Sequence, residues 1–461
     1  MKKLIFLFFI IIYNMVYFSL TLYTYPQDNV KFFDEKGQLT GISHKFVEIL
    51  NERLKKYNIK IKYKSTYPKN LSEILSALEK DEIQTFIGLA KNEERLKKFK
   101  FTNYPLWSVR LALLSKKKNI NLSNFKRKKI GVITNSKTAK LSKMYFKDAT
   151  FIEFNNISKA IENLLNNKID FVSYNSFILE YYQKLYQDNL KFINIKTEKY
   201  RQYIAFSKNV DGKVIEIFDN VLKELFNTND FEKLFDNYYG IIPGNIVELA
   251  SIQWPPYEYY ENGKWYGIDY EILNIALKEL GLKLVTYLYP WSRCIQLAKS
   301  KATDILLSLR KTKVREQYLF FSSIPISYGK DVYFFLKGNP YRNIAGYIKG
   351  YAYPKEFFKS PYKKVPVDSD ERGMILLSQK RIDLFITNLY VGLFYANKYK
   401  IDVEYSKTIK EQEYYVGFSK TYFGKFLSEQ ITKLLERFRK DETYKKVYEK
   451  YNIPWEELNV K

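Results

Sequence analysis

One cysteine, Cys294, and one histidine, His44, occur in 461 residues. A single cysteine excludes an intramolecular disulfide, and its place late in the chain excludes a lipid-bearing cysteine near the N-terminus. So little His and Cys leaves no basis for a metal cluster, and no metal or other cofactor is expected. G-x-S-x-G and Gly-rich phosphate loops are also missing, which removes common nucleophile and nucleotide signatures, so catalysis is not expected. His44 stands just before a helix and reads as structural. Glycine, at 18, and proline, at 13, are sparse while hydrophobic residues make up 46%, so the body is folded rather than low in complexity. After the N-terminus no apolar run is long enough to span a bilayer.

What is present begins with Lys2 and Lys3, then an unbroken apolar run from Leu4 to Ile12 that continues less purely to Leu22. This is the layout of a secretory signal, taken as residues 1–19. Tyr17 and Phe18 stand where a cleavage site prefers small residues, so an uncleaved membrane anchor stays open as the alternative. Either way the chain is expected outside the cytoplasm, in the periplasm or secreted. The formal net charge is +26. The lysines are scattered in short pairs on helix exteriors in both halves, and no basic arm is set apart, so nucleic acid is not the expected partner. Solvated basic faces with weak attraction to anions account for the charge.

A chain of this length needs more than one core, and the sequence supplies two similar ones. Phe86, Ile87 and Gly88 lead through Arg95 to Phe99, Phe101, Thr102 and Pro105. Leu306, Leu307 and Ser308 lead through Arg315 to Phe320, Phe321, Ser322 and Pro325. Equivalent residues are 226 apart at Gly41/Gly267, 220 at Arg95/Arg315, 213 at Asp170/Asp383 and 212 at Phe206/Phe418. A smooth drift in preserved order is what small loop insertions produce in a duplicated chain. The copies span 20–240 and 246–457, joined at Ile241–Asn245. In each, strands alternate with helices, as in parallel-rich α/β sheets. A segment leaves a first α/β block, builds a second and returns. The expected fold is therefore a tandem duplication of two α/β lobes joined by two crossing strands, with a cleft that closes by hinge motion.

The second half resembles the family 3 extracellular solute-binding proteins, receptors of polar amino-acid ABC importers with a type II periplasmic-binding fold. The pieces that carry the resemblance are Trp254-Pro255-Pro256-Tyr257, Gly267-Ile268-Asp269, Ala276–Gly281, Trp291, Ala302-Thr303-Asp304, Thr312–Arg315, Phe321–Pro325 and Arg381-Ile382-Asp383. They cover nearly all of Ile246–Pro454. The first half resembles the same family through its Arg95 segment and Lys168-Ile169-Asp170, with only Tyr25-Pro26 in place of the Pro-Pro-Tyr piece, and it is expected to be degenerate. The resemblance implies capture of a small carboxylate-bearing solute, an amino acid or related organic anion, for an ABC permease in the inner membrane. A sensor or interaction module with vestigial clefts is the alternative, and a dehydratase-like enzyme on the same fold a more distant one.

Arg315 matches the family's carboxylate-clamping arginine, and its planar fork of donors suits a carboxylate whatever the family. Arg95 is its weaker counterpart. Ser308 and the Arg310–Thr312 turn are expected to complete the anion pocket, with Arg310 either a second positive charge for a more acidic ligand or a solvated side chain. Trp254, Tyr257 and Trp291 are candidates for an aromatic wall, and Tyr351 is expected at the start of a helix in the second lobe. The family's acidic partner for an α-amino group falls on Asn388 here and Asn175 in the first copy. An amide cannot neutralise an ammonium, so the pattern fits an organic anion or modified amino acid better, unless Asp368, Asp370 or Glu371 supplies the acid.

Overall fold

A computed structural model describes residues 18–24, 38–65, 69, 71–116, 124–134, 136–187, 189–236, 238, 240–339 and 343–453. The apolar segment through Tyr17, Tyr25-Pro26, Asn135 and the last eight residues lie outside them.

In the second copy, strand Ile246–Ser251 runs parallel to Lys283–Leu288 and to Ile305–Leu309. Ile305–Leu309 pairs antiparallel with the long returning strand Lys410–Ser419, which pairs with the long leaving strand Ser327–Leu336 from Ser327↔Tyr414 to Asp331↔Lys410. Beyond this crossing pair lie Leu384–Asn388, Ile344–Ile348 and Lys363–Val367, the last two parallel to each other. One sheet thus passes through both lobes by way of two crossing strands, the architecture expected from the order of elements. Helix Ile268–Glu279 covers the first lobe with Ile272, Leu273, Ala276 and Leu277, a stripe at helical spacing. Helix Tyr422–Phe438 returns to it with Leu427, Ile431, Leu435 and Phe438 buried. Tyr259–Glu261 and Lys264–Tyr266 form an antiparallel hairpin where the sequence was read only as a turn.

The chain forms two compact units that do not follow the repeat boundary: one runs up to Trp107 and includes Arg201–Asn237, the other joins Ser108–Tyr200 to everything from Tyr238 onward. In the first unit, Phe18–Tyr23 lies parallel to Ile59–Ser65, and Thr85–Ala90 pairs antiparallel with the returning strand. Phe46 on helix Ile42–Leu54 packs edge-on against Phe231 and Phe235. His44, in the first turn of that helix, hydrogen-bonds Tyr63 Oη through Nδ1 at 2.7 Å.

In the second unit, Leu111–Ser115 pairs antiparallel with Phe171–Asn175 and Lys191–Asn194, while Lys129–Ile133 runs parallel to Thr150–Phe154. This lobe of the first copy is tied to the second copy by buried charge. Arg110 on the leaving strand pairs with Glu248, and its guanidinium also donates to the Ala302 carbonyl at 3.3 Å. Lys199, at the return, lies 2.5 Å from Asp304 and 3.1 Å from Glu248, and Lys196 lies 3.0 Å from Glu248. The Asp304 carboxylate also accepts from the Glu248 amide at 2.9 Å. Charges taken from water this completely are tolerable only when paired and hydrogen-bonded.

Burial pushes the Glu248 carboxyl up, but Lys199 and Arg110 outweigh it and hold the group below its ordinary 4.5. Its contribution is therefore present above pH ~4.5 and lost as acid is added. Glu248→Gln leaves two buried cations, Arg110 and Lys199, and the half-buried Lys196 short of one carboxylate. It is expected to destabilise the protein by ~3–5 kcal/mol in chemical denaturation at neutral pH. A loss below ~1 kcal/mol would mean the cluster is relaxed by water.

Candidate functional site

The arginine turn has the same construction in both copies. Strand Thr85–Ala90 carries Gly88 at φ +87°, and Ile305–Leu309 carries Ser308 at φ +55°, each beside a register shift against the returning strand. A short helix follows, Glu93–Lys98 or Lys313–Glu316, opened by a side-chain cap. Asn92 Oδ1 accepts the Arg95 amide at 2.7 Å, and Thr312 Oγ1 accepts the Arg315 amide at 3.3 Å. The arginine then reaches back: Arg95 Nη1 donates to the Ala90 carbonyl at 2.9 Å and Arg315 Nη1 to the Arg310 carbonyl at 2.8 Å. Thr312 thus acts as a cap.

Arg315 is 7% exposed. Its guanidinium lies over the Trp291 ring, 5.2 Å from the centroid, and Nη2 makes a long 3.4 Å contact with the Gly350 carbonyl. No carboxylate pairs with it among the described residues. Burial, and after the opposing effect of Tyr318 the charge of Arg310, push it below its ordinary value. The Trp291 indole also donates to Gly350, at 3.1 Å. Gly350 sits at φ +91°, and a Cβ there would come 3.2 Å from the indole, so glycine alone suits this approach.

Arg310 is neither solvated nor a free second charge. Its Nη2 grips Asp331 at 2.5 and 2.7 Å, and Nη1 donates to the Ala352 carbonyl across the cleft. Burial would lower the Arg310 pKa, but Tyr414 and Asp331 outweigh it and raise it above the ordinary value. Burial raises Asp331 in the opposite sense. The bidentate contact, helped by Gln412 Nε2 at 3.0 Å, favours the ionised pair. Of the two arginines that line the cavity, Arg315 is therefore the one without a carboxylate partner.

These groups surround a cavity of about 40 Å³. Its polar edge is Ser308, Arg310 and Arg315, and its aromatic walls are Trp254, Trp291, Tyr351 and Tyr414. Ile252 and Leu307 add apolar surface, and neither was picked out from the sequence. Tyr257 stands one layer back: it stacks on Trp254 at 4.7 Å and donates its hydroxyl to the Tyr328 carbonyl at 2.9 Å. Asn388 is buried behind it. Its amide donates to the Tyr257 and Tyr414 hydroxyls at 3.2 and 3.1 Å, and its Oδ1 caps helix Leu389–Tyr399 at the Tyr390 and Val391 amides. Asn175 caps the equivalent first-copy helix, Ser176–Leu185. An Asn between a strand and an apolar segment was the available sign of a cap. Tyr351 reaches the cavity, but no helix begins there: Lys355–Lys359 starts after Pro354, which disfavours helical backbone at Tyr353. Asp370 does stand behind Tyr351, accepting its hydroxyl at 3.0 Å along with that of Thr387.

Two further carboxyls lie beneath Ser308. Asp269 accepts from the Ser308 and Ser327 hydroxyls at 2.8 and 2.9 Å, and Glu258 accepts from Ser251. Among the described residues no group of three or more His, Cys, Asp or Glu side chains is placed to hold a metal.

Two lobes, a crossing pair of strands and a buried arginine at the cleft define a solute-binding protein. The profile of the bacterial extracellular solute-binding proteins, family 3, matches residues 21–241 and again 247–453, and the chain belongs to that family in two tandem copies. No curated protein sequence matches it. Among solved structures, the B. pertussis BvgS periplasmic domain is 14% identical over 93% of this chain and 89% of its own, at a TM-score of 0.40. A mutant of ArgBP from T. maritima is 20% identical over 45% and 94%, at 0.41. The arginine-, lysine-, histidine-binding protein ArtJ from Geobacillus stearothermophilus is 22% identical over 45% and 96%, at 0.40.

Burial lifts Glu258 to about 8 and Asp269 to about 7, from ordinary values of 4.5 and 3.8. Folding therefore retains protons that the unfolded chain has released, so stability declines as pH rises between these limits and levels off above them. Glu258→Gln and Asp269→Asn are each expected to flatten the fall in melting temperature from about pH 5 to about pH 8. A slope identical to that of the parent would show that these carboxyls do not titrate in the folded protein.

Proposed function

We propose that this is an exported binding protein whose second copy captures a small carboxylate-bearing solute by closing its lobes around it, for delivery to an ABC-type importer. The observation that carries the reading is Arg315, buried, directed at a cavity and without a carboxylate to pair with. A buried guanidinium in that condition is costly to keep. A ligand carboxylate supplies the missing counter-charge, in a charge-assisted bond worth ~1.5–3 kcal/mol net. The Gly350 carbonyl, at 3.4 Å, is the weak acceptor it would displace.

The lobes meet through Arg315 and Trp291 at Gly350 and through Arg310 at Ala352, so these contacts part to admit the solute; those of Trp291 and Arg310 re-form around it, while the carboxylate takes the place of Gly350 on Arg315. The first copy is given a supporting role. Its Arg95 is 5 residues from the carbonyl it holds, as in the second copy, but Arg95 projects from a helix with no buried residue. Family membership supports an extracytoplasmic location. No helix among the described residues is long and apolar enough to cross a membrane.

Titration calorimetry of the full chain with a panel of amino acids and organic acids tests the reading. Arg315→Ala is expected to abolish binding of whichever carboxylate is taken up, a loss of tenfold for each ~1.4 kcal/mol removed, while Arg95→Ala changes it little. The reverse ranking would move the site to the first copy, and binding indifferent to both would remove the arginine clamp.

A further inference from the structure

The lining of the second cleft carries an unpaired guanidinium and an unpaired indole N–H but no carboxylate, and we propose that its ligand is a short monocarboxylate without an ammonium group. The inference rests on the reading of Arg315 above and narrows the class of solute.

The donors are the Arg315 guanidinium and the Trp254 indole N–H. Trp254 is 5% exposed, lines the cavity and has no partner for Nε1. A buried N–H left unpaired costs stability unless something arrives to accept from it. A carboxylate has two oxygens and accepts only. It offers acceptors to the guanidinium and the indole, both of which line the cavity.

An ammonium finds the opposite situation, because it carries three donors and no acceptor. Three carbonyls at the cleft already accept from cationic or indole donors: Arg310 from Arg315, Gly350 from Arg315 and Trp291, and Ala352 from Arg310. No carboxylate lines the cavity. Asp331 is held by Arg310 and Gln412 and Asp370 by Tyr351 and Thr387, while Asp269 lies outside the lining, behind Ser308, with both serine bonds on Oδ2 and its Oδ1 without a partner. Asn388 spends its amide on two tyrosines and its oxygen on a helix cap. Burial also favours the neutral forms of Asp370, Asp269 and Glu258. An α-ammonium would therefore find no carboxylate in the lining to offset its charge beside a guanidinium. The walls of Trp254, Trp291, Ile252 and Leu307 suit a carbon chain, and a space of about 40 Å³ keeps it short.

Matched pairs separate the amino group from everything else. The full chain is titrated calorimetrically with pyruvate and L-lactate against L-alanine, and with 3-methyl-2-oxobutanoate against L-valine. The oxo and hydroxy acids are expected to bind, with each amino acid at least tenfold weaker. Trp254→Phe, which keeps an aromatic ring against Tyr257 but removes the N–H, should weaken the acids severalfold in protein that is still folded by circular dichroism. An amino acid that binds as tightly as its oxo acid, and loses binding with Arg315→Ala, overturns this inference and leaves the carboxylate site standing. A dicarboxylate preferred over every monocarboxylate overturns it equally. If neither member of any pair binds, the arginine site itself fails with it.

Discussion

A guanidinium held almost entirely out of water, with no carboxylate opposite, is the constraint around which the second copy is arranged. Arg315 is brought there by a strand that turns left-handed at Ser308, by a four-residue helix capped by Thr312, and by a bond back to the Arg310 carbonyl. Trp291 covers one face, and Gly350 comes close enough to meet both groups only because it has no side chain. Each feature reduces the guanidinium's freedom, and none neutralises it. The neighbouring Arg310 shows the contrast: the same side chain, given Asp331 on the leaving strand, is neutralised.

The duplication extends to single hydrogen bonds. Asn92 and Thr312 cap the same turn, Arg95 and Arg315 reach the carbonyl five residues back, and Asn175 and Asn388 cap the same helix. Asp170 and Asp383 each accept backbone amides where the second lobe's first strand begins. The copies diverge where chemistry would matter. Gly88 adopts its positive φ freely, whereas Ser308 is anchored to a buried carboxyl. The charge cluster of Arg110, Lys196 and Lys199 with Glu248 and Asp304 also gives the two copies a shared compact unit. Asp304 directly precedes the strand that leads to Arg315. The scaffold of one copy's site is thus built partly on the other copy's crossing segments.

Much of the architecture was legible because it rests on local periodicity. The helices at Leu71–Glu79 and Trp291–Lys299 and the strands at Lys129–Ile133 and Ile305–Leu309 follow from apolar spacing, and the repeat fixed their order. Strand Thr150–Phe154 was not picked out, since its residues are mostly half-buried or exposed and carry little alternation. The site was legible only in its leading residue. Arg310 finds Ala352 42 residues away, and Arg110 finds Glu248 138 away. Pairings at such separations leave no local pattern. Asn388 was placed opposite the ligand because its position in the chain matched; packing between Tyr257 and Tyr414 gave it a different task.

The central claim is that Arg315 exchanges a backbone carbonyl for a ligand carboxylate. A crystal structure of the full chain grown with a saturating carboxylate ligand tests it most directly. The account predicts a carboxylate oxygen within ~3 Å of an Arg315 guanidinium nitrogen, in the position now facing Gly350. Ligand density in the first copy alone, or a filled second cleft with Arg315 still held only by Gly350 and Arg310, would contradict it.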